Sequence, residues 1–303
     1  MASGGEEQRR FETRAVHAGE SRPGAGGDRG GDGFYPISTP IYASTTFSHA
    51  DAQTTDRVLG GEEPGYSYAR WGNPSVAALE EALTALEAPQ GGARALAFAS
   101  GMAAMHAALT AAELGEGARV LAAEQLYGST ATLLLQIFGP AGTEASFFDA
   151  YDPGEAEKKV SSLRPRAVVV ETISNPLLRV ADIPRLAEIS RSHGAALIVD
   201  NTFGTPYLQR PLELGADMVV HSATKYLSGH GDVTAGVVAA GPPYDAALEQ
   251  IRKTVGSTLG PFEAWLLHRG LKTLPLRISR QCANARRIAA WLAEHPKVFR
   301  VHH

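Results

Sequence analysis

Short apolar runs that alternate with helical patterns, between residues 74 and 256, are the feature that most constrains the fold of this chain. Seven runs have the length of strands: RALAFA, RVLAAE, ASFFD, AVVVET, ALIVD, DMVVHS and TAGVVAA. The helical pattern PSVAALEEALTALE, with proline in its first turn, precedes them, and other helical patterns lie between them. Strands that are apolar on both faces are typical of a mostly parallel sheet with helices on both sides. The sequence therefore predicts an α/β domain over residues 74–256.

The two flanks of this region have a different character. Residues 1–73 include PGAGGDRGGDG and YPISTPIY and show little helical periodicity, so we interpret them as an N-terminal arm that lies across another surface. Residues 257–303 are helical in pattern, and an apolar strand is predicted to begin at Val298. We therefore expect residues 257–303 to be the start of a C-terminal domain that is only partly present.

Composition argues against several classes of function. The 303 residues carry 28 basic and 32 acidic side chains, a formal net charge of -4, and they contain no basic run interleaved with aromatics, as nucleic-acid binding would favour. The single cysteine, Cys282, allows no internal disulfide and no cysteine-rich metal site, and we expect no metal. No secretory signal and no apolar stretch of membrane-spanning length is recognisable. We therefore expect a cytoplasmic protein whose partners are small molecules.

Polar residues follow five of the predicted strands. Taken singly, each group has an ordinary interpretation as a helix cap, a buried aspartate or a solvated lysine. The carboxyl ends of parallel strands, however, meet at one edge of a sheet, where ligands bind. In chain order the groups are Ser100 to Met102, Glu124 to Tyr127, Glu171 with Asn175, Asp200 with Asn201, and Ser222 to Lys225. We therefore predict one binding crevice that all five groups line.

The chemical groups at this edge match the needs of pyridoxal 5'-phosphate. This cofactor is an aldehyde on a pyridine ring with a phosphate tail, and it requires a lysine for covalent attachment, an anion for the ring nitrogen and a phosphate cup. Lys225 provides the amine and Asp200 the anion. The helix predicted to begin near Gly101 offers amide groups and a favourable dipole to a phosphate, and Ser222 and Thr224 add hydroxyl donors.

With these residues in place, the sequence resembles the Cys/Met metabolism, or transsulfuration, family of enzymes that depend on pyridoxal phosphate. Members include cystathionine γ-synthase, cystathionine γ-lyase, methionine γ-lyase and O-acetylhomoserine sulfhydrylase. The resemblance implies the PLP-dependent transferase fold of type I, which is aspartate aminotransferase-like, with a mostly parallel seven-stranded sheet between helices. The segments that carry it are TRAVHAGE, PISTPIYASTTF, YSYARWGNPS, FASGMAAMHAAL, LYGST, ETISNPLLRVADI, VDNTF, HSATKYLSGHGD and HRGLKTLPLR.

The resemblance also implies roles for individual residues. Lys225 would hold the cofactor covalently and then move protons between substrate carbons, Asp200 would pair with the ring nitrogen, and Tyr127 would stack on the ring and assist as acid or base. These three are the predicted catalytic residues. The predicted cofactor-binding residues are Tyr68, Arg70, Gly101, Met102, Tyr127, Glu171, Asn175, Asp200, Thr202, Ser222, Thr224 and Lys225.

Tyr68 and Arg70 belong to the arm, and the resemblance implies that they reach the cofactor phosphate of a neighbouring subunit. A guanidinium presents parallel donors to a phosphate, an arrangement that lysine imitates poorly. An active site that two chains build requires at least two-fold association. We therefore expect a homotetramer, a dimer of dimers, in which residues 1–73 contact the neighbouring chain.

The implied reaction is γ-elimination or γ-replacement on sulfur amino acids or O-acylhomoserine, of the cystathionine γ-synthase or γ-lyase type. O-acetylhomoserine sulfhydrylase and methionine γ-lyase are alternatives, although Ser129 stands where methionine γ-lyases often carry cysteine. The family's arginine for the substrate α-carboxylate is expected beyond His303. Two other classes stay open. One is a nicotinamide-dependent dehydrogenase, which would need a glycine-rich turn after the first strand, and the segment FASGMAAM at that place does not have the glycine spacing. The other is a PLP-binding relative without turnover.

Overall fold

The computed structural model describes residues 10–20 and 36–303, and the glycine-rich segment 23–33 lies outside them. The strands of the described chain are β1 (Arg94–Phe98), β2 (Arg119–Ala123), β3 (Glu144–Phe148), β4 (Ala167–Glu171), β5 (Ala196–Asp200), β6 (Met218–His221) and β7 (Gly236–Ala240). Its α-helices are α1 (Phe11–His17), α2 (Ala52–Gly60), α3 (Pro74–Glu87), α4 (Gly101–Ala111), α5 (Gly128–Leu133), α6 (Pro153–Leu163), α7 (Ile183–Ser192), α8 (Thr205–Leu208), α9 (Tyr244–Val255), α10 (Pro261–Leu271) and α11 (Leu274–Ala293).

The strands form one seven-stranded sheet in the order β1-β7-β6-β5-β4-β2-β3. β7 runs antiparallel to β1 and β6, and the other neighbouring pairs are parallel. All seven predicted strands are present, so the prediction of an α/β fold with a mostly parallel sheet is confirmed. Because β7 is reversed, the residues before it lie at the same edge as the carboxyl ends of the other strands.

The central strands are apolar throughout because helices cover both faces of the sheet. Successive side chains of a strand point to opposite faces. Val168 and Val170 of β4 pack in the core formed with α3, α7 and α10, whereas Val169 packs in the core formed with α4 and α9. All three valines are fully buried. The sheet therefore gives firm support to the polar residues that follow its strands.

Capping residues place the helix that bears most directly on the sheet edge. The Ser100 side chain accepts a hydrogen bond from Ala103 N at 3.1 Å, so α4 begins at Gly101, directly after β1. The first amides of a helix have no partner within the helix. Those of α4 therefore lie at the carboxyl edge of the sheet.

Several elements differ from the expectations drawn from sequence. Residues 36–73, interpreted as irregular, contain α2, and α1 lies further upstream, where it contacts α3 and α11 of its own chain. Both helices are too short to give a clear periodic signal. The pattern STATLLLQIFG, residues 129–139, predicts one helix, but the structure has α5 followed by a π-helical segment, Leu134–Phe138. No pattern in the sequence predicted α6, α8 or α9. The expected strand at Val298 is wrong, since residues 298–303 form no strand. The domain boundaries at 73 and 256 stay predictions.

Two further observations concern the residues that the structure describes. No helix among them is both long and apolar enough to cross a membrane. They also contain no group of three or more side chains placed to ligate a metal ion. Cys282 is half-buried against the main core.

Candidate active site

A cavity of about 310 Å³ lies at the carboxyl edge of the sheet. It receives residues that follow β1, β2, β4, β5 and β6, together with a residue that precedes β7. All predicted catalytic and cofactor-binding residues except Tyr68 and Arg70 line it, whereas Glu124 and Asn201, which were expected there because they follow strands, do not. Its lining consists of Ser100, Gly101, Met102, Met105, Tyr127, Thr130, Glu171, Ile173, Asn175, Asp200, Thr202, Phe203, Ser222, Thr224, Lys225 and Thr234.

Asp200 ends β5, and Thr202 fixes its carboxylate. Oδ1 accepts hydrogen bonds from the Thr202 amide at 2.9 Å and from the Thr202 hydroxyl at 2.5 Å. The same hydroxyl accepts from the Ser222 amide at 2.8 Å and so links the ends of β5 and β6. Burial raises the pKa of Asp200, and within the described residues Oδ2 receives no hydrogen bond. A positively charged partner in the cavity would therefore stabilise this carboxylate strongly.

Glu171 ends β4 in register with Asp200 and is only 8% exposed. Its Oε1 accepts a hydrogen bond from the Tyr127 amide at 2.6 Å, and its Oε2 accepts one from the Asn175 amide at 3.2 Å. Burial and the neighbouring Asp200 carboxylate raise the pKa of Glu171 to about 7 despite these two bonds. Glu171 thus joins the two loops that present Tyr127 and Asn175 to the cavity.

Gly101 leaves space between the start of α4 and the turn after β6. A Cβ at this position would lie 2.7 Å from Ser222 Cβ and 2.8 Å from Ser222 Oγ, distances that real side chains do not reach. Glycine is therefore required for this close approach. The free amides of α4 and the Ser222 hydroxyl converge there, which is an arrangement that suits a phosphate.

Lys225 lies in the turn after β6, and its exposed side chain lines the cavity. Within the described residues no carboxylate pairs with its Nζ. The neighbouring Thr224 hydroxyl accepts a hydrogen bond from Ala235 N at 3.0 Å and donates one to Ala235 O at 3.2 Å. Thr224 thereby ties the lysine turn to the segment before β7, and its predicted contact with the cofactor phosphate stays a prediction.

Tyr68 and Arg70 do not line this cavity. The Arg70 guanidinium donates to the carbonyl oxygen of Lys253 and lies 5.4 Å from the centre of the Tyr68 ring. Backbone hydrogen bonds of 2.8 and 2.9 Å pair residues 67–69 with residues 45–47. The predicted contact of Tyr68 and Arg70 with a cofactor in a second chain stays a prediction.

The cavity also contains residues that sequence reasoning did not assign to the site. Thr234 faces it only because β7 is antiparallel, a direction that the sequence does not reveal. Met105 lies four residues after Gly101 in α4, so the two residues share one face of the helix, and this spacing could have predicted that Met105 lines the cavity. The residues that were not assigned are Met105, Thr130, Ile173, Phe203 and Thr234.

The residues of the cavity fit pyridoxal phosphate on structural grounds. The close approach of Gly101 to Ser222 brings backbone amides and a hydroxyl together as donors for a phosphate. Asp200 lines the cavity and provides a carboxylate oxygen, Oδ2, without a protein donor among the described residues. Lys225 provides an amine without an ion-pair partner in the same part of the chain. The three requirements of the cofactor therefore meet in one cavity.

Comparison with known proteins agrees with this assignment. The model of the family "Cys/Met metabolism PLP-dependent enzyme" matches residues 12–303. L-methionine gamma-lyase of Pseudomonas putida is 41% identical over 295 residues, which cover 97% of this chain and 71% of that protein. Cystathionine gamma-lyase of Bacillus subtilis is 41% identical over 276 residues, which cover 90% of this chain and 69% of that protein.

A solved structure extends the similarity from sequence to fold. It is that of a Campylobacter jejuni protein described as an O-acetylhomoserine (thiol)-lyase, with N'-pyridoxyl-lysine-5'-monophosphate in its chain. Its TM-score is 0.83 at 30% identity, and the match covers 95% of this chain and 77% of that one. The predicted type I fold, the predicted cofactor and the resemblance drawn from the motifs are thus confirmed. The chain belongs to the Cys/Met metabolism family of PLP-dependent enzymes.

Proposed function

We propose that this chain catalyses γ-elimination or γ-replacement on sulfur amino acids or O-acylhomoserine, in the manner of a cystathionine γ-synthase or γ-lyase. One observation carries the proposal: Lys225, Asp200 and Gly101 line the same cavity at the carboxyl edge of the sheet. The family relationship supplies pyridoxal phosphate and the general class of reaction. The assignment of individual residues rests on the chemistry of the groups that line the cavity.

Each part of the cofactor has a proposed partner in this chain. Lys225 Nζ would bind the aldehyde carbon, Asp200 would hold a proton on the ring nitrogen, and Tyr127, which lines the cavity and is 51% exposed, would cover a ring face. Asn175 contacts the phenolic oxygen, and Glu171 and Thr202 hold the residues beside them. The proposed phosphate ligands are Gly101, Met102, Ser222 and Thr224.

When bound, the cofactor supplies a conjugated ring that accepts the electrons left on the substrate Cα. Lys225 Nζ, when it is free, would remove the proton from Cα and pass it to the cofactor, which also takes up the electron pair. Nζ would then be neutral again and would remove a proton from Cβ, and that second proton would leave with the γ substituent. The charge of Asp200 keeps the ring nitrogen protonated throughout, and Thr202 keeps that carboxylate oriented through two hydrogen bonds. Attack by a thiol at Cγ, with return of protons to Cβ and Cα, would give replacement; without a thiol, hydrolysis by water would release ammonia and a 2-oxo acid.

The proposal includes association of at least two chains. Tyr68 and Arg70 belong to the arm and are the expected phosphate ligands, but they lie outside the cavity of their own chain. An arm that serves a neighbouring site explains this separation, and it requires two-fold symmetry. A dimer of dimers is the proposed assembly.

Methionine γ-lyase activity is the second candidate, because the Pseudomonas putida relative bears that name. Ser129, in place of the cysteine that methionine γ-lyases often carry, favours the first candidate. A substrate panel separates them: the PLP-loaded protein is incubated with O-acylhomoserine plus cysteine, with cystathionine, and with methionine. Thioether formation identifies replacement and 2-oxo acid formation identifies elimination. Absence of both products with every substrate, in a protein that holds the cofactor, would reject the proposal.

A further inference from the structure

The turn that follows Lys225 is held from outside by two residues of the C-terminal helices. Within the turn, Gly229 N donates to Lys225 O at 2.8 Å, and Ser228 N donates to Ala223 O at 3.1 Å. These bonds close the turn on itself but leave the carbonyl groups of residues 226–228 to other donors. Because these carbonyls belong to the residues directly after Lys225, whatever binds them also restrains the lysine backbone.

Arg277, on α11, binds two of these carbonyls. Its Nη1 donates to Tyr226 O at 2.7 Å, and its Nη2 donates to Leu227 O at 3.3 Å. The same guanidinium reaches back to its own helices, because Nη2 also donates to Gly270 O at 3.0 Å and Nε donates to Thr273 Oγ1 at 2.9 Å. One side chain therefore joins the lysine turn to the junction of α10 and α11.

The partners of Arg277 indicate that its role is geometric. All four acceptors are neutral, no ion pair of Arg277 occurs in the described residues, and burial lowers the pKa of its guanidinium. A half-buried cation without a counter-charge is unfavourable unless its hydrogen bonds are well made. The planar guanidinium supplies several donors in fixed directions, which a lysine ammonium does not reproduce.

Two glycines allow the turn and the helices to approach this closely. Gly229 has φ +72°, and a Cβ there would lie 2.1 Å from Arg277 Nη1. On the opposite element, a Cβ at Gly270 of α10 would lie 2.3 Å from Ser228 O. The contact is therefore tight on both sides, so a change in either helix is transmitted to the turn.

We propose that Arg277 and Gly270 are positioning residues for Lys225: together they fix the backbone of the turn so that Nζ meets the cofactor aldehyde and the substrate Cα at the required distance. The inference rests on the proposed function, because it assumes that Lys225 carries the cofactor. Neither residue lines the cavity, so both act only through the turn.

The test compares Arg277→Ala and Arg277→Lys with Arg280→Ala, a matched change at an exposed arginine of the same helix. Each PLP-loaded variant is assayed for the rate of cofactor release, the pH dependence of the visible absorbance of the lysine-bound cofactor, and kcat and KM. A misplacement of about 1 Å costs on the order of 10²-fold in rate. Both Arg277 variants should therefore release cofactor faster, shift the absorbance titration and lose kcat with little change in KM.

Addition of guanidinium chloride far below denaturing concentration should restore part of the cofactor retention and kcat of Arg277→Ala, and sodium chloride should not. Arg280→Ala should behave as the unchanged protein. A merely structural role predicts a lower melting temperature without a shift in the absorbance titration and without rescue, and that result would overturn the proposal.

Gly270→Ala provides a second variant if Arg277→Ala fails to fold. Alanine normally favours a helix over glycine, so the expected harm comes from the contact of its Cβ with Ser228 O. The same loss of cofactor retention and kcat is expected, and a normal absorbance titration with normal rates would contradict the inference. Failure of the proposed function is distinguishable, because the unchanged protein would then carry no cofactor on Lys225 or would form no product with any substrate.

Discussion

Glu171 and Asp200 lie side by side at the ends of β4 and β5, in register, and both face the cavity. Two neighbouring carboxylates repel each other when both are ionised. Burial together with this neighbour raises the pKa of Glu171 to about 7. Glu171 thus takes up a proton as the pH falls through about 7, while its two oxygens hold the Tyr127 and Asn175 loops.

The stability of the cofactor-free protein should therefore depend on pH through Glu171. Its folded-state pKa of about 7 lies above its ordinary value of 4.5, so its stabilising contribution is complete below pH 4.5 and is lost as the pH rises through 7. The shift corresponds to roughly 3 kcal/mol of unfolding free energy. The free energy of unfolding, measured with denaturant, should fall less between pH 4.5 and pH 7 in Glu171→Gln than in the unchanged protein. An equal decline in both would contradict the assignment.

Asp200→Asn should retain the cofactor but lose most of the activity. A neutral amide cannot stabilise the proton on the ring nitrogen, and the loss of one such electrostatic interaction costs on the order of 10²-fold or more in kcat. Asp182→Asn is the matched control, because Asp182 caps α7 at the surface and asparagine caps equally well. Cofactor content and kcat are measured for both variants. Full activity of Asp200→Asn would remove Asp200 from the site.

Gly101→Ala should weaken cofactor binding by roughly 10-fold to 100-fold, because its Cβ would press on Ser222 at 2.7 Å and displace one wall of the phosphate site. Gly115→Ala is the control, since a Cβ at that position would meet no atom within 4 Å. Titration of the cofactor-free proteins with pyridoxal phosphate gives the two affinities. Equal affinities would place the phosphate elsewhere.

Subunit mixing tests whether the arm serves a neighbouring chain. Arg70→Ala and Lys225→Ala should each be inactive alone, since each lacks one part of every site. Mixed dimers of the two variants contain one site with both residues intact, so activity should reappear after co-refolding. If Arg70 acts within its own chain, no mixed dimer has a complete site and the mixture stays inactive.

The strands could be predicted because burial on both faces of the sheet makes each of them a continuous apolar run. The polar residues after them could be predicted because segments such as HSATK and VDN end these runs at the carboxyl ends of the strands. The strand order could not be predicted, since it depends on packing between distant segments. Only that order makes Glu171 and Asp200 neighbours. The reversed direction of β7 likewise brings Thr234 to the cavity.

The contact of Arg277 with the lysine turn was beyond sequence reasoning for a similar reason. The acceptors in the turn, Tyr226 O and Leu227 O, lie about 50 residues earlier in the chain. They are backbone carbonyls, which every residue has, so no residue type indicates them in the sequence. The short helices α1 and α2 escaped prediction because seven or nine residues span too few turns to show periodicity.

The most direct test of the account is the identification of the lysine that carries the cofactor. The PLP-loaded protein is reduced with borohydride, which makes the link to the lysine permanent, and is then digested and analysed by mass spectrometry. We predict the pyridoxyl label on Lys225 and its absence from the same peptide region in Lys225→Ala, together with loss of turnover in that variant. A label on a different lysine, or full turnover by Lys225→Ala, would contradict the account.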